Sequence, residues 1–210
     1  MSAESFFIYG PVGQLEAIMS PANEEVTPRA SVAVICHPHP QQGGAMTNKV
    51  VTTLARAFAA LGASSVRFNF RGVGKSAGEF ADGIGEIDDV LAVVAWAKEN
   101  YPQQSIWLAG FSFGAAMSAQ AAVRVSVEGL VSIAPPVPRF HLLELGPVQC
   151  PWLIVQGDKD DVVVPQDVFA WVETREPKPT LIRMENAGHF FHSQLLELRE
   201  IIETNLSSIA

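Results

Sequence analysis

The sequence predicts an α/β domain: a mostly parallel sheet with helices packed on both faces. Three observations carry this expectation. After an N-terminal hairpin pattern, short apolar runs alternate with longer segments of helical periodicity, which is the signature of repeated βαβ units. Runs such as Val32–Cys36 and Trp152–Val155 are apolar at every position, so they fit strands covered on both faces. The residues with chemistry to offer fall directly after strands, where ligands bind in such sheets.

The chain of 210 residues is long enough for a substantial core and reads as one domain over 1–210. Hydrophobic residues make up 48% and charged residues 17%, a globular rather than a disordered balance. A net charge of −8 disfavours nucleic acid and anionic membranes as partners. No apolar run approaches the roughly 20 residues of a membrane span. The start, Met1-Ser2-Ala3-Glu4-Ser5-Phe6, has neither a basic n-region nor an apolar h-region. The expectation is therefore a cytoplasmic protein. Cys36 and Cys150 lie far apart and without C-x-x-C spacing, so they read as reduced thiols. Nothing in the sequence speaks to the oligomeric state.

Phe6–Tyr9 and Leu15–Met19, separated by Gly10-Pro11-Val12-Gly13, predict an antiparallel hairpin. Asn23–Arg29 is a polar loop, and Ser31–Cys36 is a buried strand. A helix follows, with Val50, Leu54, Phe58 and Leu61 on one stripe, Thr47 or Asn48 as N-cap and Gly62 past its end. Ser65–Phe70 alternates like a strand and runs into the loop Arg71–Gly78. The next helix places Ile84, Ile87, Leu91 and Val94 on its inner face. Glu86, Asp88 and Asp89 in its first turns suit the helix dipole, and Tyr101-Pro102 ends it. Ile106–Ala109 is a short buried strand and Ala115–Ala122 a slim helix. Gly129–Ile133 is a strand that leaves through the rigid Ala134-Pro135-Pro136-Val137-Pro138. Phe140–Leu145 predicts one or two helical turns, Trp152–Gln156 a strand, and Val168–Glu173 a helix. Thr180–Met184 is the last strand, Asn186–Phe191 a loop, and Leu195–Leu206 a closing amphipathic helix.

Between the strand Ile106–Ala109 and its helix stands Gly110-Phe111-Ser112-Phe113-Gly114. Strand, G-x-S-x-G, helix is the context of a nucleophile elbow. Such a turn is so sharp that Ser112 is expected at φ > 0, with Gly110 and Gly114 sparing the Cβ atoms that would collide. The hydroxyl then stands at a helix N-terminus, which favours developing negative charge. A serine hydroxyl also needs a base, and the base an orienting acid. Chain order Ser, Asp, His matches this fold type. His189, after Gly188 in the loop beyond the last strand, is the first choice of base and His192 the second. For the acid, Asp158, Asp160 and Asp161 all follow the strand Trp152–Gln156, and Asp also favours tight turns. Asp160 is the first choice and Asp161 the second; spacing alone leaves both open. Gly74-Lys75-Ser76 looks like the end of a phosphate-binding loop. The position five residues earlier is Asn69 rather than Gly, and no helix follows directly, so nucleotide binding is disfavoured. His37 and His39 lack a placed third ligand and read as structural; no metal site and no cofactor are expected.

The chain resembles the α/β-hydrolase superfamily, and within it a group of small bacterial serine hydrolases without a lid domain. The strings that carry the resemblance are His37-Pro38-His39-Pro40 with Gly43-Gly44, Phe68–Gly74, Gly110–Gly114, Ala134-Pro135-Pro136, Gln156–Asp160 and Gly188–His192. The resemblance implies an eight-stranded sheet with its second strand antiparallel. It supports Asp160 as the acid, and serine at the elbow sets the chain apart from the related dienelactone hydrolases, which use cysteine. It also implies one oxyanion donor in the Phe113 N–H and a second in the loop after the third strand. Many relatives have His-Gly there, but this chain has His-Pro. Pro38 and Pro40 carry no N–H, so the His39 N–H is the first candidate and Gln41 the next. Phe111, Phe190 and Phe191 are candidates for an apolar substrate site, with core packing as the alternative.

The function expected is hydrolysis of a small-molecule carboxylic ester, or thioester, through an acyl-enzyme on Ser112. An acyltransferase, a small peptidase and a non-catalytic binding protein on the same scaffold are the alternatives. The short stretch between Ile133 and Trp152 leaves no room for a helical cap. That predicts an open site, no interfacial activation and a preference for soluble short-acyl esters.

Overall fold

The computed structural model describes residues 5–207. Residues 1–4, part of the stretch in which no leader pattern is visible, lie outside the described residues. Eight strands form one sheet: β1 (Ser5–Gly10), β2 (Gly13–Ser20), β3 (Ser31–Cys36), β4 (Ser64–Phe68), β5 (Ser105–Phe111), β6 (Gly129–Ile133), β7 (Trp152–Gly157) and β8 (Thr180–Met184). Their order is β1-β2-β4-β3-β5-β6-β7-β8. β2 runs antiparallel to both of its neighbours, and every pair from β4 to β8 is parallel. Among the described residues five α-helices cover it: α1 (Lys49–Ala60), α2 (Gly85–Asn100), α3 (Phe113–Ala122), α4 (Pro165–Glu173) and α5 (Leu195–Ser207).

The all-apolar runs become central strands because helices close over both faces. Residues of α1 and α5, among them Val50, Leu54, Phe58, Leu198 and Ile202, pack on Ala33, Ile35, Trp107 and Leu153. Residues of α2, α3 and α4, including Val90, Val94, Met117 and Val168, pack on Val34, Val66, Leu108 and Ile154. Asn48 caps α1, its side chain accepting from the Val50 N–H at 2.8 Å. Gly62 follows that helix at φ 77°, where a Cβ would lie 2.3 Å from the Thr27 carbonyl oxygen.

Several boundaries differ from expectation, each for a local reason. The strand read over Ser65–Phe70 leaves the sheet after Phe68. The Asn69 N–H still reaches the Glu16 carbonyl of β2 at 2.8 Å, but the Phe70 N–H donates to His37 Nε2 at 3.0 Å instead of to a strand. Ile84 is not on the inner face of α2; it precedes the helix and is exposed. The start of α2 is set by Glu86, whose buried carboxylate takes the Ala81 and Gly83 N–H groups at 2.8 and 2.9 Å. α4 begins earlier than Val168, with Pro165 in its first turn, where a missing N–H costs nothing. The last helix starts at Leu195 as expected and runs one residue further, to Ser207. Phe140–Leu145 contributes one 3-10 turn, Leu142–Glu144.

The loop after β4 is fastened from inside. Arg71 sends Nε and Nη2 to the two oxygens of Asp89 at 3.0 and 2.7 Å, and its backbone N–H also reaches that carboxylate. Both side chains are buried. Farther along, Glu16 takes Asn69 Nδ2 at 2.9 Å and the Lys75 N–H at 3.0 Å, while Ser76 Oγ donates to the Asn69 carbonyl at 2.7 Å. The segment Gly74-Lys75-Ser76 is thus occupied by bonds within the protein.

Candidate active site

The parallel strands β3 to β8 end on one edge of the sheet, and the loops leaving β3, β5, β7 and β8 meet there. Ser112 leaves β5 at φ 53° and ψ −119°, a conformation that a side chain with a Cβ adopts only under constraint. Its N–H is tied to the Ile133 carbonyl of β6 at 2.8 Å, which holds the turn. A Cβ on Gly110 would sit 2.2 Å from the Gly114 carbonyl oxygen, and one on Gly114 would sit 2.3 Å from the carbonyl oxygen of Cys36 at the end of β3. The strand, the turn and the helix touch through backbone alone, as the glycine spacing predicts.

His189 reaches this serine from the loop after β8. Its Nε2 lies 3.1 Å from Ser112 Oγ, and its Nδ1 lies 2.8 Å from Asp160 Oδ2. Asp160 is an acceptor, so the proton sits on Nδ1 and the Nε2 lone pair faces the serine. The ring is 3% exposed and rests against Phe111, with centroids 5.0 Å apart, and edge-on against Phe190.

Asp160 is held by four donors. Oδ1 accepts from the Val162 and Val163 N–H groups at 2.9 and 2.7 Å, and Oδ2 accepts from Gln156 Nε2 at 3.0 Å and from His189. Burial by itself pushes its pKa up, but the hydrogen bonds from His189, Val163 and Val162 outweigh burial and hold the carboxyl below its ordinary value. Asp161 is exposed and Asp158 bonds to none of the three site residues. His192 is also exposed and touches the ring of Phe190, away from Ser112.

His37 and His39 divide the loop after β3 between them. His37 is fully buried, accepts from the Phe70 N–H through Nε2, and so donates through Nδ1 to the Pro38 carbonyl at 2.6 Å. Burial lowers its pKa to about 4. His39 has φ −52° and ψ 120°, the extended conformation imposed on a residue before proline. Its Nδ1 accepts from the Gln41 N–H at 3.2 Å, and its ring leans on Phe80 and Phe113. Burial also lowers its pKa. Among the described residues, neither the His39 N–H nor the Phe113 N–H has an acceptor. A cavity of about 80 Å³ opens over Ser112, with Pro38, His39 and Gly44 contributed by the first loop and Val162, His189 and Phe190 by the later ones.

Of the three phenylalanines expected to contact substrate, only Phe190 lies on this cavity, and it is 45% exposed. Phe111 and Phe191 are fully buried: Phe111 forms a floor beneath His189, and Phe191 packs in the core with α5. An aromatic next to Ser112 or His189 carries no mark in the sequence to say which way it points. Sequence reasoning also missed Gln156 as a partner of Asp160. The signal available was a polar side chain closing the otherwise apolar Trp152–Val155 run, which must find a buried partner.

A family model described as the alpha/beta hydrolase fold matches residues 34–146. A solved structure of an alpha-beta serine hydrolase homologue from Coxiella burnetii is 48% identical, covers 98% of each chain and superposes with a TM-score of 0.94. A serine hydrolase without a lid from Xanthomonas campestris is 44% identical over 98% of this chain and 94% of that one, with a TM-score of 0.95. An uncharacterised protein of Rickettsia prowazekii (strain Madrid E) is 34% identical over 97% of this chain and 88% of its own length. No cap domain interrupts the connection from β6 to β7, which holds a single 3-10 turn. With this fold, this topology and these relatives, the chain belongs to the α/β-hydrolase family, among its small lid-less serine hydrolase homologues.

Proposed function

We propose that this protein hydrolyses carboxylic esters, or thioesters, through a covalent acyl-enzyme on Ser112. The observation that supports this most is the relay Ser112–His189–Asp160, with contacts of 3.1 and 2.8 Å behind a nucleophile on a strained elbow. In the reading we favour, Ser112 Oγ attacks the substrate carbonyl as its proton passes to His189 Nε2. Asp160 keeps the imidazole in the tautomer that accepts and stabilises the imidazolium that results. The Phe113 and His39 N–H groups take the charge that develops on the carbonyl oxygen. His189 then protonates the departing alcohol or thiol. The same nitrogen next accepts a proton from water, whose oxygen attacks the acyl carbon and frees the carboxylic acid. Every proton in this cycle passes through His189, so the chemistry closes without a metal or cofactor.

The test is hydrolysis of p-nitrophenyl acetate by the folded protein, Ser112→Ala, His189→Ala and the double variant. Each single change is expected to bring the rate to near background and the double change to add little, because the members act as a unit. A Ser112→Ala protein that keeps its rate would refute the reading.

A further inference from the structure

The cavity over Ser112 does not end there. Val162 lines it and also lines a second hollow of about 160 Å³ between Pro136–Arg139 and Val162–Val164. Pro138 and Asp167 line that hollow and also a third of about 510 Å³, whose other walls include Val137, Leu143, Ala170 and Trp171. The three hollows adjoin through these shared wall residues and line up as a track from Ser112, between the exit loop of β6 and the start of α4, to the 3-10 turn. Four large apolar side chains stay exposed along it: Phe190, Val162, Val164 and Leu143, the last at 62%. Exposed apolar side chains that gather along one hollow, rather than singly, mark a binding surface.

The track is fixed to the catalytic machinery. Asp160 Oδ1 holds the Val162 and Val163 N–H groups, so one wall is anchored by the same carboxylate that orients His189. The opposite wall carries Pro136 and Pro138, which stiffen it. At the far end Arg175 Nη2 donates to the Leu145 and Gly146 carbonyls at 2.5 and 2.9 Å, tying the segment after the 3-10 turn to the C-terminal end of α4. The two charged residues on the track, Arg139 and Asp167, are exposed, and a chain can lie along their stems while the charges stay in water.

We infer that this track is a substrate site for a long unbranched alkyl arm of the ester, which rests on the proposed esterase reading. The expectation of short-acyl preference came from the missing cap alone. The same short connection that leaves no cap builds one wall of an open apolar groove instead.

Two ester series test this below their micellar limits: p-nitrophenyl esters with acyl chains of two to twelve carbons, and acetates of linear alcohols of the same lengths. kcat/KM is expected to rise about two- to fourfold per methylene in one series, since each buried methylene contributes on the order of 0.8 kcal/mol. The series that rises says whether the arm belongs to the acid or the alcohol. Ala170→Trp fills the far hollow, and Val164→Asp charges the middle one while supplying a good N-cap to α4. Both should cut the long-chain advantage at least tenfold and leave p-nitrophenyl acetate within twofold. Hydrolysis of acetate with a flat or falling length profile in both series overturns the groove and leaves the esterase reading standing. So does equal loss on short and long esters in the two variants. A readout free of turnover covers the case in which the esterase reading itself fails. Dansylaminoundecanoic acid should bind Ser112→Ala and bind at least tenfold more weakly once Ala170→Trp is added; no binding, or equal binding, overturns the groove.

Discussion

Replacing Asp160 by Asn changes one atom and should abolish most of the activity, for a reason visible in its four hydrogen bonds. Oδ1 accepts from two backbone N–H groups, at 2.9 and 2.7 Å, and these cannot move without shifting the start of the segment Val162–Val163. The new carboxamide must therefore turn its oxygen to them and its NH2 to the Oδ2 position. That NH2 faces His189 Nδ1 at 2.8 Å and Gln156 Nε2 at 3.0 Å, both donors in the native protein, and the imidazole can offer it an acceptor by changing tautomer. His189 Nδ1 becomes the acceptor, its proton moves to Nε2, and Nε2 then points a hydrogen at Ser112 Oγ, 3.1 Å away. A base in that tautomer cannot take the serine proton. The loss expected in kcat is on the order of 10⁴, the penalty of the wrong tautomer in such triads, or about 5 kcal/mol at 1.36 kcal/mol per decade. Gln156 Nε2 loses one of its two acceptors and keeps the Gly157 carbonyl at 3.2 Å, so the stability cost should be about 1 kcal/mol. The assay is kcat on p-nitrophenyl acetate near pH 7, paired with urea unfolding. Asp161→Asn is the control and should change kcat less than threefold. An Asp160→Asn protein that stays folded and keeps more than a tenth of its kcat would refute this reasoning.

The oxyanion donor is tested by two changes at His39. Its φ of −52° already suits proline, so His39→Pro should delete the N–H without moving the loop, lower kcat roughly 10²–10³-fold and melt normally. His39→Ala keeps the N–H and should keep most of kcat; equal damage from both variants would assign the effect to the side chain. His37 makes stability depend on pH. Its pKa is about 4 in the folded protein against 6.5 in the unfolded chain, so between those values only the unfolded chain takes up the proton. Stability should fall as pH drops through that window, by on the order of 3 kcal/mol in all. Urea unfolding across pH 7 to 4 should show this component in wild type and lose it in His37→Gln; parallel curves would contradict the buried neutral imidazole. Arg71→Leu leaves Asp89 charged and buried, and should cost about 3–5 kcal/mol in urea unfolding. Adding Asp89→Leu should restore part of that, and a single-variant loss below about 1 kcal/mol would show the pair to be dispensable.

How much of this was legible in the sequence depended on whether a local rule decides the residue. The buried strands were legible because apolar runs bounded by Gly and Pro have few other uses, and the elbow because two glycines around a serine answer a steric demand. Ser112, Asp160 and His189 were legible as residues after strands, and the parallel topology brings them together. Asp160 could not be separated from Asp161 by spacing. What separates them is the turn itself, which hands the Val162 and Val163 N–H groups to one carboxylate and leaves the other in solvent. Boundaries failed where a side chain captured a backbone group. The strand pattern through Phe70 is intact, yet His37 takes the Phe70 N–H, and Glu86 rather than Ile84 organises the start of α2. Phe111, Phe190 and Phe191 look alike in sequence; a strand end and a φ of 51° at Phe191 send two inward and leave Phe190 on the cavity. The hollows beside the site were invisible because their walls come from two segments that meet only in the folded chain.

The central claim, that Ser112 is a nucleophile activated by His189, is tested most directly by covalent capture. The native protein is treated with a fluorophosphonate, its intact mass is measured, and the adduct is mapped by peptide sequencing. The expected result is a single adduct on Ser112, absent from Ser112→Ala and slowed by at least a hundredfold in His189→Ala. A folded protein that takes up no adduct, or takes it on a residue other than Ser112, would contradict the claim.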